Sequence, residues 1–159
     1  MGVIHDFEGQ IRIEYSQFYL LDTSIVDLPE PRLSPARWLD TGDNWAAFLS
    51  GGQDHYASVR LQLWDVEPTV TTESWDLIQD CTFVANSGEI VLWSPTIGPS
   101  EHRWHLAGSG RYKMRVHCRG RQAVAQAMDE IATPYSSLPR AVEQYLLQLW
   151  ESQDTRPKV

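Results

Sequence analysis

His102 and His105 sit three apart around Arg103-Trp104, the spacing in this 159-residue chain that first suggests a metal. On a helix they would share a face. The stretch reads as extended, where positions three apart point to opposite sides, so joint ligation is not expected. His117 beside Cys118 has the letters of an activated thiol, yet strand neighbours also diverge. Asp40-Thr41-Gly42-Asp43-Asn44 matches a calcium loop in composition only. It lacks the alternating ligand order and a closing Glu, so it reads as a turn. Gly108-Ser109-Gly110 has neither the third glycine nor the following helix of a phosphate cradle, and reads as a hairpin turn. There is no G-x-S-x-G, H-E-x-x-H or P-loop. The expectation is a non-enzyme with no catalytic residues, no metal and no cofactor.

Charge then narrows the partners. The net charge is −8, with hydrophobic residues at 42%, inside the globular range. A net acidic chain is a poor match for nucleic-acid phosphate or an anionic membrane. The acidity is local: residues 1–80 carry 4 basic and 14 acidic side chains, net −10, and the remainder is net +2. The start has no basic n-region followed by an apolar run, and no stretch is long and apolar enough to span a bilayer. Two cysteines without C-x-x-C read as free thiols in a reducing compartment. The expected location is the cytoplasm.

The elements that would position such charges are mostly strands. Ile11 to Ser16 alternates apolar and polar residues, and the run continues through Gln17 to Leu21, where the alternation slips as at a bulge or as in a strand buried on both faces. Asp22-Thr23-Ser24 is a turn. Residues 27–44 hold Pro29, Pro31 and Pro35 and read as a long loop. Further strands are expected at Trp45–Leu49, Ser58–Asp65, within Trp75–Val84, at Glu89–Trp93 and at Arg111–Cys118, with Asn86-Ser87-Gly88 as a tight turn. Gln122 to Ile131 has helix formers and one apolar face, Val124, Ala127, Met128 and Ile131. Pro134 and Pro139 bracket a loop. Val142–Trp150 is readable as helix or strand. Leu147-Gln148-Leu149-Trp150 repeats Leu61-Gln62-Leu63-Trp64, which favours a final strand. The expected fold is all-β, an antiparallel β-sandwich with one short helix near the C-terminus, forming a single domain over residues 1–151 with a frayed tail at 152–159.

Two surfaces compete for a role. Arg111, Lys113, Arg115, His117, Arg119 and Arg121 line one face of an extended segment. The plain reading is a solvated face paired with acids from the first half. Trp38, Trp45 and Trp75 lie beside acidic loops, and exposed tryptophan among acids has the composition of a protein-binding hot spot.

Ile13-Glu14-Tyr15-Ser16-Gln17-Phe18 resembles the opening strand of a family of small bacterial proteins that includes the competence-associated inhibitor of the DNA-entry nuclease. Val59-Arg60-Leu61-Gln62-Leu63 and Gly110-Arg111-Tyr112 resemble that family's central strand and its later G-x-Y. Arg115–Arg121 and Tyr145–Trp150 also resemble stretches of actinobacterial proteins. The longer Pro-rich loop (Leu28–Trp45) and the helical stretch depart from the family, and no functional residue carries over. The resemblance implies a β-sandwich and inhibition of a nuclease by protein contact. Acidity agrees, since an acidic surface can occupy a DNA-binding cleft. The expected function is an inhibitor or immunity-type protein for a basic protein partner such as a nuclease or toxin. Asp27, Glu30, Asp40, Asp43 and Asp54 are its candidate steering charges, and Trp38 and Trp45 its candidate anchors. The alternative is a sandwich module that binds a glycan or small molecule without catalysis.

Overall fold

Alternation decides which side chains leave water. Ala57, Val59, Leu61 and Leu63 are buried, and Tyr145, Leu147 and Leu149 repeat the pattern near the C-terminus. Opposite them stand Phe18, Leu20, Ala46, Phe48, Ile90 and Leu92, and all join one core between two sheets. Phe18 stacks on Phe48 at 4.5 Å, and Tyr145 meets both rings edge-on.

The computed structural model describes residues 2–71, 73–131 and 137–152. Among these the strands are β1 (Val3–Ile13), β2 (Gln17–Asp22), β3 (Leu39–Gly42), β4 (Trp45–Leu49), β5 (His55–Trp64), β6 (Leu77–Ala85), β7 (Glu89–Ser94), β8 (Gly98–His105), β9 (Gly110–Arg119) and β10 (Arg140–Glu151). Helix α1 (Arg121–Asp129) lies between the last two. The first sheet has the order β1-β5-β10-β9-β6 and the second β3-β4-β2-β7-β8. The fold is the expected all-β sandwich with one short helix. One strand pairing is parallel, β10 beside β5, and the other strand pairings within the two sheets are antiparallel. The repeated tetrapeptides meet in that pair, with Leu147, Gln148, Leu149 and Trp150 opposite Leu61, Gln62, Leu63 and Trp64.

The structure differs from expectation at four places. The run from Ile11 to Leu21 is two strands with a reversal between them rather than one bulged strand, and the second, Gln17–Asp22, is buried on both faces, which is the other expected cause of the slip. Tyr15 and Ser16 take φ of 52° and 63°, and Glu14 pairs with Gln17 across them. Two successive left-handed residues make the tight turn that carries the chain from the first sheet to the second. The Pro-rich loop contains a strand, β3, hydrogen-bonded to β4. Gly108-Ser109-Gly110 joins β8 of one sheet to β9 of the other, so it is a crossover connection rather than a hairpin. The helix starts one residue before the expected Gln122, after Gly120 in the left-handed conformation at φ 85°. The Pro134 part of the expected loop and residues 153–159 of the expected tail lie outside the described residues.

Candidate partner-binding surface

The outer face of the second sheet is apolar and roofed by the Pro-rich loop. Tyr19, Leu21, Ala47 and Val91 form a second cluster, and Ile25 from the turn after β2 and Leu33 from the loop pack on it with Trp45 and Trp93. Asp40 holds the loop down. Its carboxylate accepts the Arg32 N–H at 2.9 Å, the Arg37 guanidinium at 2.6 Å and the Thr41 N–H at 3.1 Å. Burial would raise its pKa, but these donors outweigh burial and hold it below the usual carboxylate value. Asp22 anchors the other end. It accepts from the N–H and hydroxyl of Ser24, the N–H and hydroxyl of Ser87, and the Gly88 N–H. These donors likewise overcome burial and lower its pKa.

The seven candidate residues divide among these surroundings. Asp27 and Glu30 are exposed on the loop, next to exposed Val26 and Leu28. Asp43 is exposed at the β3–β4 turn, and half-buried Trp45 begins β4, its indole against Gly42. Trp38 is only 6% exposed and belongs to the central core, so its indole is not presented to a partner. Asp40, at 8%, spends its charge inside the loop rather than steering from the surface. Asp54 lies away from the others. It takes a two-pronged ion pair from Arg12 at 2.6 and 3.0 Å, on the outward side of β1 and the first sheet. The fold therefore gathers Asp27, Glu30 and Trp45 around the loop, with Asp43 at the edge of the same sheet.

Two cations of the basic stripe, Arg115 and Arg119, are engaged by residues 67–80. Arg115 is buried, makes two bonds to Asp80 at 2.8 and 3.2 Å, and donates to the Pro68 carbonyl. Arg119 bonds Gln144, reaches Glu73 at 3.5 Å and lies 4.3 Å over the Trp75 ring. His117 is fully buried against Trp75, with Nδ1 3.1 Å from the Leu146 carbonyl. A carbonyl only accepts, so Nδ1 carries the proton, and burial lowers the pKa of the neutral ring. Cys81 and Cys118 are free thiols, both pushed up to about 12 by burial. The His102 ring lies tilted against Phe7 at 5.3 Å, and His105 lies 3.7 Å from Glu89.

One constellation escaped the motif search. Ser50, His55 and Glu143 converge in the interior below α1. The Ser50 hydroxyl donates to Glu143 Oε1 at 2.7 Å, Gly51 N–H donates to Oε2 at 2.7 Å, and Gly52 N–H donates to Ser50 Oγ at 3.0 Å. His55 Nε2 is 2.8 Å from Ser50 Oγ. The hydroxyl proton goes to the carboxylate, so Nε2–H must donate and Nδ1 keeps a lone pair. Serine stands between base and acid here, an order different from the nucleophile–base–acid relay. The cluster ties the β4–β5 turn to β10. Glu143 is 93 residues from Ser50, so no local spacing could reveal it.

No family model and no curated protein matches this chain. Solved structures do match. The chain is similar in fold to ComJ from Bacillus subtilis, inhibitor of the DNA-degrading activity of NucA, whose crystal structure superposes with a TM-score of 0.64 at 15% identity. The match covers 96% of this chain and 99% of that one. The crocagin biosynthetic gene J product matches with a TM-score of 0.58 at 16% identity, covering 94% and 100%. The resemblance expected from the sequence motifs is present in the fold.

Proposed function

We propose that this chain is an inhibitor or immunity-type protein that binds a basic protein, a nuclease or toxin, and blocks it by surface contact. The end-to-end likeness to a nuclease inhibitor supports this reading most directly. The acidity of residues 1–80 agrees with it, because an acidic patch is drawn to the cationic clefts in which nucleases hold DNA. Exposed Asp27, Glu30 and Asp43 supply steering charge, and Trp45 with Val26 and Leu28 supplies apolar contact. The reading places the protein in the cytoplasm, where its thiols stay reduced.

The test is purification of the tagged chain with its bound nuclease, followed by a DNA-cleavage assay. Inhibition that weakens with salt and with the triple reversal Asp27→Lys, Glu30→Lys, Asp43→Lys is the expected result. If no nuclease or toxin is bound and inhibited, the reading fails. A small-ligand role draws on a cavity of about 330 Å³ beneath the loop, lined by Leu21, Ile25, Leu28, Val91 and Trp93. Quenching of tryptophan fluorescence by a glycan, with no nuclease bound, would favour that role.

A further inference from the structure

The two lateral sides of the sandwich are unlike. On one, Asn44 N–H donates to the Val84 carbonyl at 2.8 Å and Asn44 Oδ1 accepts from Asn86 N–H at 2.8 Å, so the sheets are laced together. On the other, a cleft of about 390 Å³ separates β1 from β8. Its ends are pinned. Glu14 accepts from Thr96 and Ile97 at one end, and Phe7 packs on Trp104 at 4.4 Å at the other.

β1 lines this cleft with six consecutive residues, 7–12. A strand that contributes every residue presents its edge, since a face would contribute every second one. Ser94 donates its hydroxyl to the Arg12 carbonyl at 2.7 Å across the cleft, so Arg12 turns its backbone groups away from β5. By the period of an antiparallel ladder, Glu8 and Gln10 do the same. Their N–H and C=O groups are open to another strand. The β8 edge is blunted by Pro99 and by a register shift opposite Val91–Trp93.

Charge specifies the occupant. Glu101 on the β8 rim has no ion-pair partner among the described residues. Glu8 lies opposite Arg60 in the β1–β5 pair, but that guanidinium is committed to Asp6 at 2.7 and 2.9 Å. Arg12 is committed to Asp54. A strand added here would turn alternate side chains inward, against Leu92, Ile97 and Trp104, and the others outward beside Glu8.

We propose that the β1 edge, opened by this cleft, accepts an extended partner segment that alternates apolar and basic residues. This deepens the inhibitor reading and rests on it for the nature of the partner.

The probe is a short synthetic peptide alternating lysine and valine, titrated into the isotope-labelled full chain. Hydrogen exchange at the Glu8 and Gln10 amides is expected to slow at least about tenfold at saturation. Glu8→Lys and Glu101→Lys should each weaken binding by about fivefold while the spectrum stays folded. A peptide N-methylated at alternate amides should not bind. Equal binding of that peptide, no binding of the parent, or protection confined to other strands overturns the proposal. The double variant Glu8→Lys, Glu101→Lys is also assayed for nuclease inhibition. Inhibition retained in full, with no peptide binding to the native chain, removes the strand site and leaves the inhibitor reading. Peptide protection at β1 without any nuclease inhibited does the reverse.

Discussion

Gln148 donates its side-chain amide to the Gln62 carbonyl oxygen at 3.0 Å, across the parallel pair of β10 and β5. The same oxygen accepts the Trp64 indole N–H at 2.9 Å, and Gln62 passes its own amide on to Asp6 at 3.3 Å. Both glutamines are buried on the outward side of the first sheet. They fix the register in which the two Leu-Gln-Leu-Trp segments lie. Gln62→Ala and Gln148→Ala should each cost about 1 kcal/mol. In a double-mutant cycle of urea unfolding the two should couple, with the pair costing less than the sum.

Glu143 carries more. Removing its carboxylate leaves the Gly51 N–H without its acceptor and forces the Ser50 hydroxyl onto His55 Nε2, with a change of tautomer in the interior. Glu143→Ala should destabilise by about 3 kcal/mol, because the Gly51 N–H then loses its bond outright. Glu143→Gln keeps one carbonyl oxygen and should recover part of the loss. Urea midpoints of the three proteins check this.

Acid should weaken the fold in two stages. His55 and His117 are both held below the ordinary histidine value, chiefly by burial. The unfolded chain takes up protons near pH 6.5 that the folded chain refuses, so stability is full above that value and falls as pH drops through it. Asp22 and Asp40 have lowered values, so their contribution is present above about pH 4 and lost as pH falls further. Thermal melts from neutral pH downward should show the first decline, and His117→Gln should make it shallower.

Gly120 cannot be replaced. It sits at φ 85°, and a Cβ there would lie 2.1 Å from the Val142 carbonyl oxygen. Gly120→Ala combines a left-handed alanine with a clash against β10 backbone, and should cost more than about 2 kcal/mol. Loss of melting temperature, with detachment of α1 visible by hydrogen exchange, is the measurement.

Cys81 and Cys118 should resist alkylation. Both thiols face the core with values of about 12, so almost no thiolate exists at neutral pH. Iodoacetamide labelling should proceed only in denaturant. Rapid labelling of the native protein would contradict the packing of β6 on β9.

Regular alternation made most strands legible, because burial of one face demands it. β3 was hidden because four residues ending in Asp-Thr-Gly have weak strand character and stand among prolines. The reversal at Tyr15-Ser16 was hidden because left-handed turn positions are usually held by Gly, Asn or Asp, and both of these residues take positive φ. The acidic surface was only partly legible. Aspartate and tryptophan in one loop predict proximity along the chain, but Trp38 and Asp40 turn inward as β3 begins, and Asp54 follows a different sheet. The cleft left one mark in the sequence, Gly9 in the middle of β1, where a side chain would strike the Phe7 ring that lies over it.

The place of β10 has a consequence for how the protein is made. Its neighbours β5 and β9 are synthesised first, and neither can pair through it until residues 140–151 have left the ribosome. Until then β1-β5 and β9-β6 are separate ribbons, each showing a bare edge and an apolar face. Completion of this sheet therefore waits for residues 140–151 and is governed by sequence-distant contacts, which makes it slow. A nascent chain stalled before Arg140 would expose both ribbons to aggregation, and the last strand is the step that withdraws them.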